Sequence, residues 1–184
     1  MKTLAEIYLP AEQSLIDQLY EKMRAHIKEN KKLPYMDSDN NPKEECLEYF
    51  ITTDSEISFN KRGSKKSKDK VTVKELKNSL KLLFRTEEEL TKAGFNKAFG
   101  KTKFVESPLY LFLNITADEI RNRRIVGQEI THQTFGKGII SRMELQKDSV
   151  WLKCGEENKM LAMDYVTLND HDEEKLKNIL SMSK

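Results

Sequence analysis

Apolar residues recur every three or four positions near the start of the chain, and this spacing predicts an amphipathic helix over residues 10–30. Its apolar stripe contains Leu15, Ile16, Leu19, Tyr20, Met23 and Ile27. Pro34 and Pro42 then interrupt the pattern. Because the first turn of a helix tolerates proline, Pro42 predicts a second helix over residues 43–52. The residues of this second helix that would face the core are Leu47, Phe50 and Ile51.

Two short segments that follow, EISFN and KVTV, alternate between apolar and polar residues. Such alternation predicts a pair of strands, and we expect a β-hairpin over about residues 55–73. Thr72 and Glu75 then have the spacing of a capping box, which predicts the start of another helix. The sequence therefore predicts a mainly helical first domain, residues 1–124, that carries one hairpin.

The pattern changes after residue 124, where four alternating segments follow one another: QEITH, GIISRMEL, SVWLKC and KMLAMDYVTL. Short strands at this spacing, with glycine-containing turns between them, predict a small β-barrel. The chain then returns to a helical period, with Leu176, Ile179 and Leu180 on one face. We therefore expect an α+β protein whose second domain, residues 125–184, is a barrel closed by a C-terminal helix.

Charge is distributed unevenly along the chain. The net charge is only +2, but residues 61–103, here called the basic segment, contain 14 Lys and Arg against 5 Asp and Glu. Residues 1–60 have the opposite balance, with 7 basic and 12 acidic residues. A local concentration of positive charge attracts polyanions more strongly than the total charge indicates.

The basic segment begins with the cations of the predicted hairpin and continues along the helix after it. The candidate nucleic-acid-binding residues are Lys61, Arg62, Lys65, Lys66, Lys68, Lys70, Lys74, Lys77 and Lys81. Phe95 and Phe99 lie among further lysines, and aromatic rings among cations suit single-stranded or loop RNA, whose bases can stack. Lysine is a point charge, so only Arg62 and Arg85 could make forked contacts with phosphates. The alternative interpretation of the hairpin cations is a solvated, flexible loop.

Residues 127–168 resemble the C-terminal Tudor/SH3-like domain of bacterial superfamily-one DNA repair helicases. The residues that carry the resemblance are Gly127, Ile130, His132, Phe135, Gly136, Gly138, Ile139 and Ile140. The resemblance implies an SH3/Tudor-like β-barrel that serves as a docking module for a protein or nucleic acid. The docking residues expected on it are His132, Phe135, Lys137 and Trp151. The chain has no G-x-x-x-x-G-K-[ST] motif, so the helicase motor itself is not expected.

No catalytic residue can be assigned from the sequence. His26, His132 and His171 are far apart and fall in no metal-binding motif, and His132 is predicted to be a structural corner residue. An acidic stretch near Asp37 imitates a calcium loop, but Pro42 occupies the position that needs a sharply turning residue. We expect no metal, no cofactor and no small-molecule substrate, and we expect Cys46 and Cys154 to be buried free thiols.

The sequence favours a nucleic-acid-associated binding protein over an enzyme. The start of the chain lacks a signal-peptide pattern and no apolar run is long enough to cross a bilayer, so a cytoplasmic protein without membrane contact is expected. Its size and its Lys-, Asn-, Ile- and Glu-rich composition resemble anti-CRISPR inhibitors from Gram-positive mobile elements. That resemblance implies inhibition of a Cas9-type RNA-guided nuclease through the guide RNA or its channel.

Two alternatives stay open, an adapter that docks onto a helicase or RNA polymerase through the barrel, and a nuclease that cleaves RNA. The expected partners are a nucleic acid, RNA rather than DNA, and a protein of a nucleoprotein complex.

Overall fold

The structure is a computed structural model that describes residues 1–30, 32–37, 39, 41–51, 53–60, 68–86, 90–91 and 116–181. The helices are α1 (Leu4–Asn30), α2 (Val73–Arg85), α3 (Ala117–Arg121), a short 3-10 helix (Met163–Tyr165) and α4 (Asp170–Leu180). The strands are β1 (Lys32–Met36), β2 (Pro42–Ile51), β3 (Glu56–Asn60), β4 (Lys68–Thr72), β5 (Glu129–His132), β6 (Gly136–Met143), β7 (Ser149–Cys154) and β8 (Glu157–Ala162). None of these helices combines the length and the apolar character that crossing a bilayer requires.

The chain divides into two compact units that are not continuous in sequence. The terminal unit comprises Met1–Leu15, Phe84–Glu87 and Asp118–Lys184, and the central unit comprises Ile16–Leu83 and Glu88–Ala117. The predicted boundary between residues 124 and 125 stays a prediction.

Helix α1 begins earlier than its apolar stripe predicts. The Thr3 N–H donates to Glu6 Oε2 at 2.7 Å, and the Glu6 N–H donates to Thr3 Oγ1 at 3.2 Å. This reciprocal pair is a capping box, which satisfies two of the backbone N–H groups that a helix start leaves without partners. The hydrogen bond from the Thr3 backbone lowers the pKa of the Glu6 carboxyl. The helix therefore starts at Leu4, before Pro10.

The terminal unit is built on a four-stranded antiparallel sheet in the order β5-β6-β7-β8. Alternate residues of the strands point into a core, where the residues without measurable exposure include Ile130, Ile140, Val150 and Leu152. The start of the chain joins this unit through backbone hydrogen bonds, from the Leu4 N–H to Val166 O at 2.7 Å and from the Leu168 N–H to Lys2 O at 2.9 Å.

The sheet of the terminal unit is open, because its first and last strands do not pair. Residues 116–181 are all described, and within them β5 and β8 do not pair with each other. The predicted strands and the C-terminal helix are confirmed, and the chain is a mixed helix-and-sheet protein.

The central unit contains the second antiparallel sheet, in the order β1-β2-β3-β4. Strands β3 and β4 form the predicted hairpin, in which Ile57 pairs with Val71. Ile57, Phe59 and Val71 are buried, so one face of the hairpin belongs to the core. Helix α2 follows directly, and its predicted capping box is confirmed, because Thr72 and Glu75 exchange hydrogen bonds of 3.0 and 3.1 Å.

The predicted helix over residues 43–52 is wrong, because its described residues, 43–51, belong to strand β2. The apolar residues fit a helical period, but Leu47, Tyr49 and Ile51 also alternate with period two, and a segment this short fits both patterns. Strand β2 pairs with β1 on one side and with β3 on the other, so its neighbours in the sheet decide the outcome. Cys46 in this strand is exposed and Cys154 is half-buried, which corrects the predicted burial of both, while both are free thiols.

Candidate nucleic-acid interface and docking face

The hairpin of the central unit pairs the two residues that flank a cationic stretch, residues 61–67. Asn60, the last residue of β3, pairs with Lys68, the first residue of β4. The seven residues between them, KRGSKKS, contain four cations and no acid. The candidate residues Lys61, Arg62, Lys65 and Lys66 lie outside the described residues.

Two further candidate cations lie where β4 ends and α2 begins. Lys70 is exposed, and its Nζ atom lies 3.9 Å from Glu56 Oε2 on the paired strand. Lys74 is exposed in the first turn of α2. An ion pair at this distance that includes an exposed ammonium contributes little to stability, and solvent reaches the side chains of both Lys70 and Lys74.

The last two candidates, Lys77 and Lys81, are less exposed. The Lys77 ammonium lies 2.8 Å from Asp17 Oδ1 and 4.9 Å from the centre of the Tyr20 ring, and Lys81 is half-buried. Burial raises the pKa of Tyr20 even though a cation lies over its ring. The charge of Lys77 is therefore paired with a carboxylate of the same chain at the surface, and the described part of the basic segment presents its cations mainly at Lys70 and Lys74.

Arg85 is not available for phosphate, because its side chain has no exposed surface. Its guanidinium donates two hydrogen bonds of 2.8 Å to the Glu12 carboxylate. It also donates to the carbonyl oxygens of Glu144 and Lys147 and to Asp148 Oδ1, at 2.8, 3.1 and 3.3 Å. The expectation of a forked phosphate contact from Arg85 was therefore wrong, since the same fork serves a buried carboxylate.

Tyr8 completes this buried group, which we call the ion-pair cluster and define as Tyr8, Glu12 and Arg85. The Tyr8 hydroxyl donates to Glu12 Oε2 at 2.6 Å, and its ring lies 5.8 Å from the guanidinium carbon. Burial first, and then the charge of Glu12, raises the pKa of Tyr8. For Arg85, burial acts against the charged form, but the hydrogen bonds and charge of Glu12 outweigh it and raise its pKa. The cluster thus keeps the Arg85 guanidinium charged in the interior.

The candidate docking residues His132 and Phe135 meet at the turn between β5 and β6. His132 Nδ1 accepts hydrogen bonds from the N–H groups of Thr134 and Phe135, at 3.1 and 3.4 Å. The two rings stack with their centres 4.8 Å apart. Gly136 follows with a φ of +72°, a conformation that favours glycine. His132 is therefore the structural corner residue that the sequence predicts, and it holds the partly exposed Phe135 ring in place.

The other docking residues, Lys137 and Trp151, lie on the solvent face of the sheet. Lys137 is exposed, with its Nζ atom 3.8 Å from Glu129 Oε1. Trp151 alternates with the buried Val150 and Leu152, so it faces away from the core, and its indole N–H donates to Glu144 Oε1 at 2.8 Å.

Lys159 lies beside the candidate docking residues, although the sequence did not single it out. Its Nζ atom lies 5.6 Å from the centre of the Phe135 ring and 2.9 Å from Glu157 Oε2. The hydrogen bond from Lys159 lowers the pKa of the Glu157 carboxyl. The signal that could have identified Lys159 is its place on β8, opposite Leu152 in the sheet, but that register is visible only once the strands are paired.

The described residues contain no group of three or more His, Cys, Asp or Glu side chains that could hold a metal ion. The ion-pair cluster has no access to a substrate and is structural. Comparison of the chain with models of protein families, with curated proteins and with solved structures finds no match.

Proposed function

We propose that this protein is an RNA-associated binding protein that inhibits a nucleic-acid enzyme complex, most concretely an anti-CRISPR inhibitor of a Cas9-type nuclease that acts through the guide RNA or its channel. The observation that carries the proposal is the β3–β4 hairpin, whose paired residues Asn60 and Lys68 bracket KRGSKKS. The four cations between these paired residues are a local concentration of positive charge, which attracts a polyanion.

The exposed Lys70 and Lys74 extend the cationic stretch beyond the hairpin. Lysines without forked geometry favour recognition of backbone charge over sequence readout. Each phosphate contact releases counterions, so the affinity should fall steeply with salt.

A second candidate function is docking onto a helicase or RNA polymerase through residues 127–168. It is favoured by the partly exposed Phe135 ring, which stacks on His132 and has the Lys159 ammonium 5.6 Å from its centre. For this candidate we propose that the open sheet is a member of the SH3/Tudor-like class. The likeness of residues 127–168 to the repair-helicase domain supports it.

The first test measures RNA binding as a function of salt. The triple variant Lys65→Glu, Lys66→Glu, Lys68→Glu is compared with a control of equal charge change, Lys28→Glu, Lys147→Glu, Lys153→Glu, whose residues are exposed and lie outside the basic segment. Loss of three phosphate contacts should reduce the slope of log affinity against log salt by about 2, since each contact contributes about 0.7 on a single strand. Equal slopes for the two triple variants would contradict the proposal.

The second test adds the protein to a Cas9-type nuclease with its guide RNA and measures target cleavage and guide integrity. We expect cleavage to stop, the guide to stay intact, and the hairpin variant to lose inhibition. A shortened guide would instead support the RNA-cleaving alternative, and uninhibited cleavage would overturn the anti-CRISPR proposal. Loss of inhibition only on Phe135→Ala would place the contact with the nuclease at the candidate docking residues instead of the hairpin.

A further inference from the structure

The two edge strands of the β5–β8 sheet differ in whether other parts of the chain bond to their outward backbone groups. At the β5 edge, the Thr131 N–H donates to Asp172 Oδ2 at 2.7 Å, and the Lys175 ammonium donates to Glu129 O. Both partners lie on helix α4, so side chains of this helix occupy the outward backbone groups of β5. Covering an edge in this way is a known means of preventing strand addition.

The β8 edge has no such cover among the described residues. The Met163 N–H donates to Asp148 O at 2.8 Å, just beyond the pair Ser149–Ala162 that ends the ladder. Hydrogen-bonded and non-hydrogen-bonded pairs alternate in an antiparallel ladder. The backbone groups of β8 that point away from β7 are therefore those of Asn158, Met160 and Ala162. In the described part of the chain, no donor or acceptor bonds to the outward backbone groups of these three residues.

We propose that β8 is a self-association edge, on which a second copy of this chain adds its own β8 in antiparallel orientation about a two-fold axis at Met160. Such an axis pairs Met160 with Met160 of the second copy, and Asn158 with Ala162 on either side. All the outward N–H and C=O groups of both strands are then hydrogen-bonded, which is the state that backbone groups require once water is removed.

The side chains of β8 fit a second copy of this strand. Met160 is 52% exposed and stands beside Trp151 in the sheet, so the axis brings apolar side chains of both copies together on one face. The charges of Glu157 and Lys159 neutralise each other within one strand at 2.9 Å. No like charges lie directly opposite each other across the axis, an arrangement that would destabilise the pair.

The contact is isologous, since the same patch serves both copies, and it closes at two. An edge of six residues buries less surface than a standard protein interface, so we expect a weak dimer whose population rises with concentration. The inference does not depend on the proposed function, and RNA is absent from its test.

The test begins with the mass of the full chain in a concentration series, by sedimentation. We expect the mean mass to rise from 21.5 kDa toward about twice that value. A mass of one chain at every concentration up to the solubility limit would overturn the proposal.

Disulfide trapping gives the sharper result, in a Cys46→Ala, Cys154→Ala background. Opposed residues of a hydrogen-bonded antiparallel pair have Cα atoms about 5.5 Å apart, within the range that a disulfide spans. Met160→Cys should therefore form dimers at least about tenfold faster than the control Tyr165→Cys, because pairing raises its effective concentration. Tyr165 is 79% exposed against 52% for Met160, so random collision predicts the reverse order, and that order would count against the edge.

Met160→Pro separates dimer loss from unfolding. The Met160 N–H points away from β7, so proline at this position removes no hydrogen bond of the sheet. Edge strands tolerate proline at such positions. We expect this variant to keep the melting temperature of the monomer and to lose the dimer. Leu161→Pro, which removes a bond to β7, is the control for a folding defect. A Met160→Pro protein that still dimerises as wild type would refute the assigned edge.

Discussion

The two units place their positive charge in opposite ways. In the terminal unit, Arg85 is fully buried and donates five hydrogen bonds, to Glu12, Asp148 and two carbonyl groups. In the central unit, Lys70 and Lys74 are exposed, and Lys77 lies at the surface against Asp17. A count of the cations in the basic segment therefore overstates its basic surface, because one of them, Arg85, holds the interior together.

The largest effect is expected where the buried charge loses its partner. Arg85→Met should destabilise the terminal unit by about 3–5 kcal/mol, because it leaves the Glu12 carboxylate buried without a counter-charge. Urea unfolding measures the loss, and hydrogen exchange should locate it in the terminal unit.

A double variant is the control for this loss. Replacing both partners, Glu12→Met with Arg85→Met, removes the unpaired charge and should cost clearly less than the single change. A double variant less stable than Arg85→Met would show that the pair itself, and not the orphaned carboxylate, dominates.

An intermediate effect is expected at Tyr8, which donates to the same carboxylate at 2.6 Å. Tyr8→Phe removes one hydrogen bond to a charged group, so the free energy of unfolding should fall by about 1.5–3 kcal/mol at neutral pH. Tyr165→Phe is the matched control, since this tyrosine is 79% exposed and should change little. Equal losses in the two variants would mean that the buried hydrogen bond contributes nothing.

The pKa of Tyr8 adds a dependence on pH. Its folded pKa is raised, chiefly by burial, so its contribution to stability is fully present below the ordinary tyrosine pKa of about 10 and is lost as the pH rises toward the folded value. Wild type should therefore lose stability above pH 10 more steeply than Tyr8→Phe does. Parallel curves in urea titrations at alkaline pH would contradict the raised pKa.

Local rules predict much of the fold. The hairpin over β3 and β4, the capping box of Thr72 and Glu75 and the four strands after residue 124 all follow from spacing within a few residues, and all are confirmed. Strand β2 was missed because its apolar residues from Leu47 to Ile51 fit both periods, and only its pairing with β1 and β3 decides between them.

The residues of the candidate site also separate into those that local spacing predicts and those that it does not. His132 could be predicted as a corner residue because its partners lie two and three positions away. The pair of Glu12 and Arg85 could not, since 73 positions separate two residues that look like ordinary helix-surface charges. A single sequence shows the sign of a side chain's charge, and only the packing shows whether that charge faces water.

The smallest effect tests that last distinction on helix α2. Lys77→Met should change the free energy of unfolding by no more than about 1 kcal/mol, because its ion pair with Asp17 lies at the surface. Lys74→Met removes the same charge one turn away, from a side chain that is exposed. If the proposed RNA contact includes this end of the basic segment, Lys74→Met should weaken RNA binding and its salt dependence more than Lys77→Met does, and Asp17→Asn should strengthen binding by releasing Lys77. Titrations of the three variants with one RNA at two salt concentrations decide the order, and equal losses for the two lysines would show that Asp17 does not shield Lys77 from a phosphate.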